Sequence, residues 1–152
     1  MGGTMNARIL TFDDEPAVGR AVRRVLAGAG FEVTVATDLK AARTALAGGE
    51  FAVIIADERM PETSGVEFLE ECAAEHPMAS RVLLTGYADP QTAAEAIRRA
   101  EIIRLLFKPW NQEELITTAR EAAWRHSLLA AGEVEQPNTA PFGPLVVMHG
   151  GK

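Results

Sequence analysis

The chain has 152 residues, 47% hydrophobic and 24% charged, with a formal net charge of -6, which suits one well-buried domain plus a short appendage and is too little for two ordinary domains. An acidic balance argues against nonspecific binding to nucleic acid or anionic membrane, both of which need clustered Lys and Arg, and no run approaches the roughly 18 apolar residues of a membrane span. The N-terminal Met1-Gly2-Gly3-Thr4-Met5-Asn6 carries no apolar signal core and the single cysteine, Cys72, can close no internal disulfide, so the expectation is a cytoplasmic protein with no direct nucleic-acid partner and no membrane.

Apolar runs alternate with helix-period segments. Residues 7–12 read as a strand, followed from Pro16 by a helix with Val18, Val22, Val25 and Leu26 on one face and Gly28-Ala29-Gly30 at its end. Residues 31–36 read as the second strand, and a helix from about Asp38 to Ala47 is closed by Gly48-Gly49. Residues 51–56 begin the third unit, where Ser64 and Glu67 have capping-box spacing ahead of Val66, Phe68, Leu69 and Cys72. Cys72 reads there as a small packing residue. Residues 81–85 begin the fourth unit, with Asp89-Pro90 as cap and first-turn proline of a helix to about Arg99. Residues 102–107 begin the fifth. Its helix is expected from Asn111 to about Leu129, with Asn111 as cap, Glu114 completing the box, and Trp110 with Leu115 as hydrophobic staple.

Five strand-helix units in alternation predict an α/β fold with helices on both faces of a parallel sheet. Val53-Ile54-Ile55 and Val82-Leu83-Leu84 are continuous apolar runs, whereas Phe31-Glu32-Val33-Thr34-Val35 alternates, so the second strand is the edge candidate. That fits a flavodoxin-like, doubly wound (βα)5 sheet of order 2-1-3-4-5, whose crevice lies beyond the carboxyl ends of strands 1 and 3. The expected domain spans residues 6–129. Residues 130–152, with Pro137, Pro141, Pro144 and several glycines, read as a tail or linker and no separate domain. Its apolar island, Leu145-Val146-Val147-Met148, can be an extra edge strand, a docking peptide or the start of a longer element, and the plain reading is a mostly mobile tail.

The choice within each charge sign is uneven: 16 Glu against 5 Asp, and 12 Arg against 3 Lys. Asp13 and Asp14 follow the first strand, Asp57 the third, Thr85 the fourth and Lys108 the fifth. Clustered carboxylates at a cleft suit a hard cation such as Mg²⁺, and a compact ammonium can pair with a carboxylate or phosphoryl oxygen. The set suits phosphoryl transfer to a carboxylate, with Asp57 as nucleophile, Mg²⁺ on Asp13 and Asp14, and Lys108 as clamp. Taken singly, each has a plainer role as cap, turn hydroxyl or surface lysine. The remaining Glu and Arg read as mostly solvated surface. His76, His126 and His149 have no metal-ligand spacing.

Asp13-Asp14-Glu15, Ala56-Asp57-Glu58-Arg59-Met60-Pro61 with Gly65, Leu84-Thr85-Gly86-Tyr87-Ala88-Asp89 and Lys108-Pro109-Trp110 together resemble the receiver domains of bacterial two-component response regulators, over about residues 6–127. The resemblance implies that Asp57 is the phosphoacceptor, Asp13, Asp14 and Asp57 hold Mg²⁺ with the main-chain carbonyl of Arg59, Lys108 pairs with the phosphoryl group and Thr85 is the switch hydroxyl. It implies as partners a sensor histidine kinase or phosphotransfer protein and a downstream output protein or module, while the outer turns of the last helix leave open a pairing with a second copy of the chain or with an output helix. It does not imply an enzyme, beyond catalysis of its own phosphorylation and slow autodephosphorylation. The wording is most similar to receivers joined to enhancer-binding, HD-GYP or kinase modules. One position departs from the pattern: Leu105 stands where the family usually has an aromatic switch residue, and Phe107 is no obvious substitute. The alternatives are a phosphorylation-independent interaction module and an Asp-nucleophile phosphatase of the haloacid dehalogenase type. The latter wants its nucleophile after the first strand in an Asp-x-Asp motif, which Asp13-Asp14-Glu15 does not match. Arg59 and Tyr87 are expected near the phosphate, where their bulk would screen the attacking water.

Overall fold

A computed structural model describes residues 7–86, 89–132 and 146–148. The chain alternates β1 (Arg8–Phe12), α1 (Pro16–Gly28), β2 (Glu32–Ala36), α2 (Leu39–Ala47), β3 (Val53–Asp57), α3 (Gly65–Glu75), β4 (Ser80–Thr85), α4 (Pro90–Ala100), β5 (Arg104–Phe107) and α5 (Gln112–Ala130), with a short β6 (Val146–Met148). All pairings are parallel, and the sheet order is β2-β1-β3-β4-β5-β6. The first five strands thus have the flavodoxin-like order 2-1-3-4-5, with the alternating strand β2 at one edge. Of the roles open to the apolar island, residues 146–148 take that of an extra edge strand, paired with Arg104–Leu106 of β5. Residues 133–145 and 149–152 of the tail, His149 among them, and Tyr87 with Ala88 lie outside the described residues.

Strand periodicity divides the core in two. Ile9, Val53, Ile55, Val82, Leu84 and Leu106 point to one face, covered by Val22 and Leu26 of α1 and Leu115, Ala119 and Ala122 of α5. Leu10, Phe12, Ile54, Ala56, Leu83 and Leu105 point to the other, against α2, Phe68 and Leu69 of α3 and Ala96 of α4. Phe12 and Phe68 meet edge to face with centroids 4.9 Å apart. Cys72 is fully buried in this second layer, and burial pushes its thiol up to about 12, as suits a packing residue.

The capping chemistry follows the sequence with one exception. Asp38, Ser64, Asp89 and Asn111 each accept from a main-chain N–H in the first turn of α2, α3, α4 and α5, and Ser64 with Glu67 forms the reciprocal box. At α5 only half of the expected box forms, because the Glu114 N–H donates to Asn111 but the buried Glu114 Oε1 has no partner. Trp110 packs against the layer that contains Leu115, as a staple should.

Three arginines correct the expectation of a solvated Arg surface. Arg81 and Arg125 are 0% exposed and Arg104 4%. From the second position of β4, the Arg81 guanidinium donates to the carbonyls of Pro77, Ala79, Ala100 and Glu101 and so closes the C-terminal end of α4. Arg104 pairs with Glu121 at 2.6 Å, and Arg125 donates to the Ser80 hydroxyl at 3.1 Å. No helix of the described residues is long and apolar enough to cross a membrane.

Candidate functional site

Parallel strands all end on the same side, and each strand-end residue turns into the next helix there. β1 delivers Asp13 and Asp14, β3 ends on Asp57, β4 ends on Thr85 and β5 is followed by Lys108. Asp13, Asp14 and Asp57 each offer a carboxylate oxygen within 4.8 Å of the others. Among the described residues this is where acidic ligands gather for a cation.

The three carboxylates are held differently. Asp13 is 2% exposed; its Oδ1 accepts from the Glu15 N–H at 2.9 Å, while the buried Oδ2 has no partner. Burial, with the neighbouring charge of Asp57 adding to it, pushes the Asp13 carboxyl up to about 6 against the opposing Glu15 hydrogen bond and Lys108 charge. Asp57 Oδ2 accepts from the Arg59 N–H at 3.1 Å, and Oδ1 is ion-paired with Lys108 Nζ. Burial alone would lower the Lys108 ammonium, but its hydrogen bond to Asp57 and the charges of Asp57 and Asp13 outweigh this and raise it above the ordinary lysine value. One ammonium leaves three carboxylates undercompensated. An unpartnered, buried Asp13 oxygen beside two more carboxylates fits a hard divalent cation.

Gly65 shows why the first residue of α3 must lack a side chain. A Cβ there would stand 2.2 Å from the carbonyl oxygen of Asp57 and 2.7 Å from Leu83 Cδ1. The helix start is therefore drawn against the residue that ends β3, an approach only glycine allows. The Gly65 N–H donates to the Glu58 carbonyl at 2.9 Å and fixes the β3–α3 turn further. The Lys108–Pro109 peptide bond is cis.

Thr85 is buried at the same sheet end, and its hydroxyl has a carboxylate partner there. Thr85 Oγ1 donates to Glu58 Oε1. Sequence reasoning placed Thr85 correctly on β4 and missed Glu58, one of 16 glutamates with no distinguishing spacing. Leu105 is buried beside this pair and lines a cavity of about 240 Å³ between β4, β5 and α4. Arg59 is exposed at the rim, and its main chain bridges to Ser64.

A family model described as the response regulator receiver domain matches residues 9–120. The hydrogenase transcriptional regulatory protein HoxA of Cupriavidus necator is 35% identical over 116 residues, covering 76% of this chain and 24% of that protein. The transcriptional regulatory protein FixJ of Bradyrhizobium diazoefficiens is 32% identical over 128 residues, covering 84% of this chain and 62% of its own length. The chain therefore spans less than two thirds of either relative. Among solved structures, the signal receiver domain of an HD domain-containing protein from Pseudomonas fluorescens Pf-5 superposes with a TM-score of 0.76 at 28% identity, covering 81% of this chain and 98% of that one.

Proposed function

Because this chain belongs to the response regulator receiver domain family of two-component signalling, we propose that it accepts a phosphoryl group on Asp57 from a histidine kinase or phosphotransfer protein and changes conformation to regulate a partner. The observation that carries this reading is the Asp57 carboxylate, ion-paired with Lys108 beside the underneutralised Asp13 and Asp14. One Asp57 oxygen attacks phosphorus while the P–N bond of the donor phosphohistidine breaks and its electron pair returns to the imidazole. Lys108, held charged by its raised pKa, releases Asp57 to pair with a phosphoryl oxygen instead. Asp13, Asp14 and Asp57, with the main-chain carbonyl of Arg59, would hold Mg²⁺, which supplies charge neutralisation for the transferring phosphoryl group. The buried Asp13 orients that site through its tie to the Glu15 N–H.

The receiver comprises residues 6–129, and the tail 130–152 lends residues 146–148 to its sheet edge. The protein acts in the cytoplasm as a phosphoacceptor and not as a turnover enzyme. Arg59 at the rim screens the acyl phosphate from water. The outer turns of α5, where Trp124 is 58% exposed, are the surface offered to a second copy or an output helix. A second reading, a binding module that signals without phosphorylation, is favoured only by Leu105 at the usual aromatic position.

Incubation with Mg²⁺ and acetyl phosphate, read by intact mass, tests the proposal. A single phosphate adduct that is lost in Asp57→Asn supports it. No adduct with acetyl phosphate or with a phosphorylated histidine phosphotransfer protein would leave the binding-module reading, and sustained turnover of external phosphoesters would instead make the protein a phosphatase.

A further inference from the structure

Thr85 carries one hydroxyl proton and can donate it to one acceptor at a time. In this structure the acceptor is Glu58 Oε1. The root of Glu58 is fixed on both sides, its N–H donating to Leu84 O and its carbonyl accepting from the Gly65 N–H, each at 2.9 Å. Thr85 is anchored too, since its carbonyl accepts from the Lys108 N–H at 2.8 Å. Only the Glu58 side chain and the Thr85 hydroxyl are left to move. The cavity of about 240 Å³ that both residues line is bounded by Leu83 and Leu105 of the sheet and by Ala93 and Ala96 of α4. It gives a displaced carboxylate somewhere to go, directly against α4.

Resting on the phosphoacceptor reading above, we propose that Glu58 is a positioning residue that holds the Thr85 hydroxyl away from Asp57 until the aspartyl phosphate forms. The new phosphoryl oxygens then compete for that proton, and their charge repels the Glu58 carboxylate. Glu58 swings into the cavity and disturbs the packing of α4. Leu105, buried and aliphatic, lines the same cavity and leaves room in it for the Glu58 side chain. Coupling runs from a charge added at Asp57, through one exchanged hydrogen bond, to one helix.

Beryllofluoride with Mg²⁺, a stable stand-in for the phosphoryl group, provides the test on the full chain. Its affinity is measured by ¹⁹F NMR titration for wild type, Glu58→Ala, Glu58→Gln, Thr85→Ala and the two double variants, with hydrogen exchange of the α4 amides as a second readout. Losing a hydrogen bond to a charged acceptor in the unliganded state tightens beryllofluoride binding by about tenfold in Glu58→Ala. Glu58→Gln, which keeps the shape and an acceptor oxygen but not the charge, falls between. In the Thr85→Ala background removal of Glu58 changes affinity by less than about twofold, because the competition is already gone. Beryllofluoride changes the α4 exchange pattern in wild type but leaves it nearly unchanged in Glu58→Ala, which has no carboxylate to enter the cavity. Equal tightening in both Thr85 backgrounds reduces Glu58 to a distant charge and overturns the proposal, as does unchanged affinity. If wild type neither binds beryllofluoride nor takes a phosphate adduct, the phosphoacceptor reading itself fails and this inference falls with it.

Discussion

Asp13 offers the sharpest test of the site's electrostatics, and the test needs no phosphodonor. Its carboxyl is pushed from 3.8 up to about 6, chiefly by burial and then by the charge of Asp57. A carboxyl whose folded pKa exceeds its unfolded value binds its proton more tightly when folded, so ionising it opposes folding. The destabilisation is absent well below the unfolded pKa, grows between the two values and is complete above the folded one. A shift of about 2 units corresponds to about 3 kcal/mol at pH 7, and the same linkage leaves about 1 kcal/mol at pH 4.5. The Asp13→Asn variant, in which a neutral amide replaces the ionised carboxyl, is therefore expected to be more stable than wild type at pH 7 by up to about 3 kcal/mol, with the gain shrinking to about 1 kcal/mol at pH 4.5. Urea unfolding in a chelator at the two pH values measures both. Adding Mg²⁺ should recover stability in wild type and little in Asp13→Asn, since a cation bound only by the folded state adds RT ln(1 + [L]/Kd). A variant less stable than wild type at pH 7, or an equal gain at both pH values, would refute the assignment of Asp13 as an ionised group held at a cost.

Other consequences follow from single contacts. Gly65→Ala must separate the start of α3 from the Asp57 carbonyl, which lies 2.2 Å from the added Cβ; a loss of about 2–4 kcal/mol in urea unfolding is expected, with weaker beryllofluoride binding because Asp57 moves too. Arg81→Met removes the donors to the four carbonyls of Pro77, Ala79, Ala100 and Glu101 and is expected to cost about 3 kcal/mol, with hydrogen exchange rising first at the end of α4. Cys72, buried and with its thiol pushed up to about 12, should not react with a disulfide reagent at pH 8 until the protein unfolds. Fast labelling of the native protein would contradict its burial.

Periodicity made the sheet legible because β3 and β4 are buried along their whole length and the edge strand β2 is not. The uninterrupted runs of β3 and β4 and the alternation of β2 fixed both the fold class and the edge. Strand-end placement made Asp13, Asp14, Asp57 and Lys108 legible, because a parallel sheet collects whatever follows its strands. Two kinds of feature were hidden. Glu58 gains its role from a side-chain direction and a partner on the neighbouring strand, and neither leaves a trace in spacing. The buried arginines had a trace that composition obscured: Arg81 directly precedes the apolar run Val82–Leu84 in a strand buried along its whole length, and Arg125 shares a helix face with Ala122 and Leu129. Position in a buried element outranks residue type, and a guanidinium can be buried where main-chain carbonyls accept from it, as four do from Arg81.

That placement also revises the meaning of the scarce aspartates. Each helix of a doubly wound sheet runs against its strands, so helix N-termini gather at the crevice and helix C-termini at the opposite end. Asp38 and Asp89 are N-caps of α2 and α4, and Asp13 and Asp14 immediately precede the first turn of α1. At α2 and α4 short carboxylates thus cap main-chain N–H groups that are otherwise unsatisfied, whereas Glu15, the N-cap of α1, makes no side-chain cap bond. Arg8, Arg81 and Arg104 lie at the opening of β1, β4 and β5, the end where helix carbonyls collect, and Arg81 donates to two of those carbonyls at the end of α4. The same topology that lays acid at one end of the sheet lays arginine at the other. What separates the functional aspartates from the structural ones is therefore not their rarity but their company: Asp38 and Asp89 spend their oxygens on helix N–H groups, whereas Asp13 keeps a buried oxygen without a partner and Asp57 faces the ammonium of Lys108.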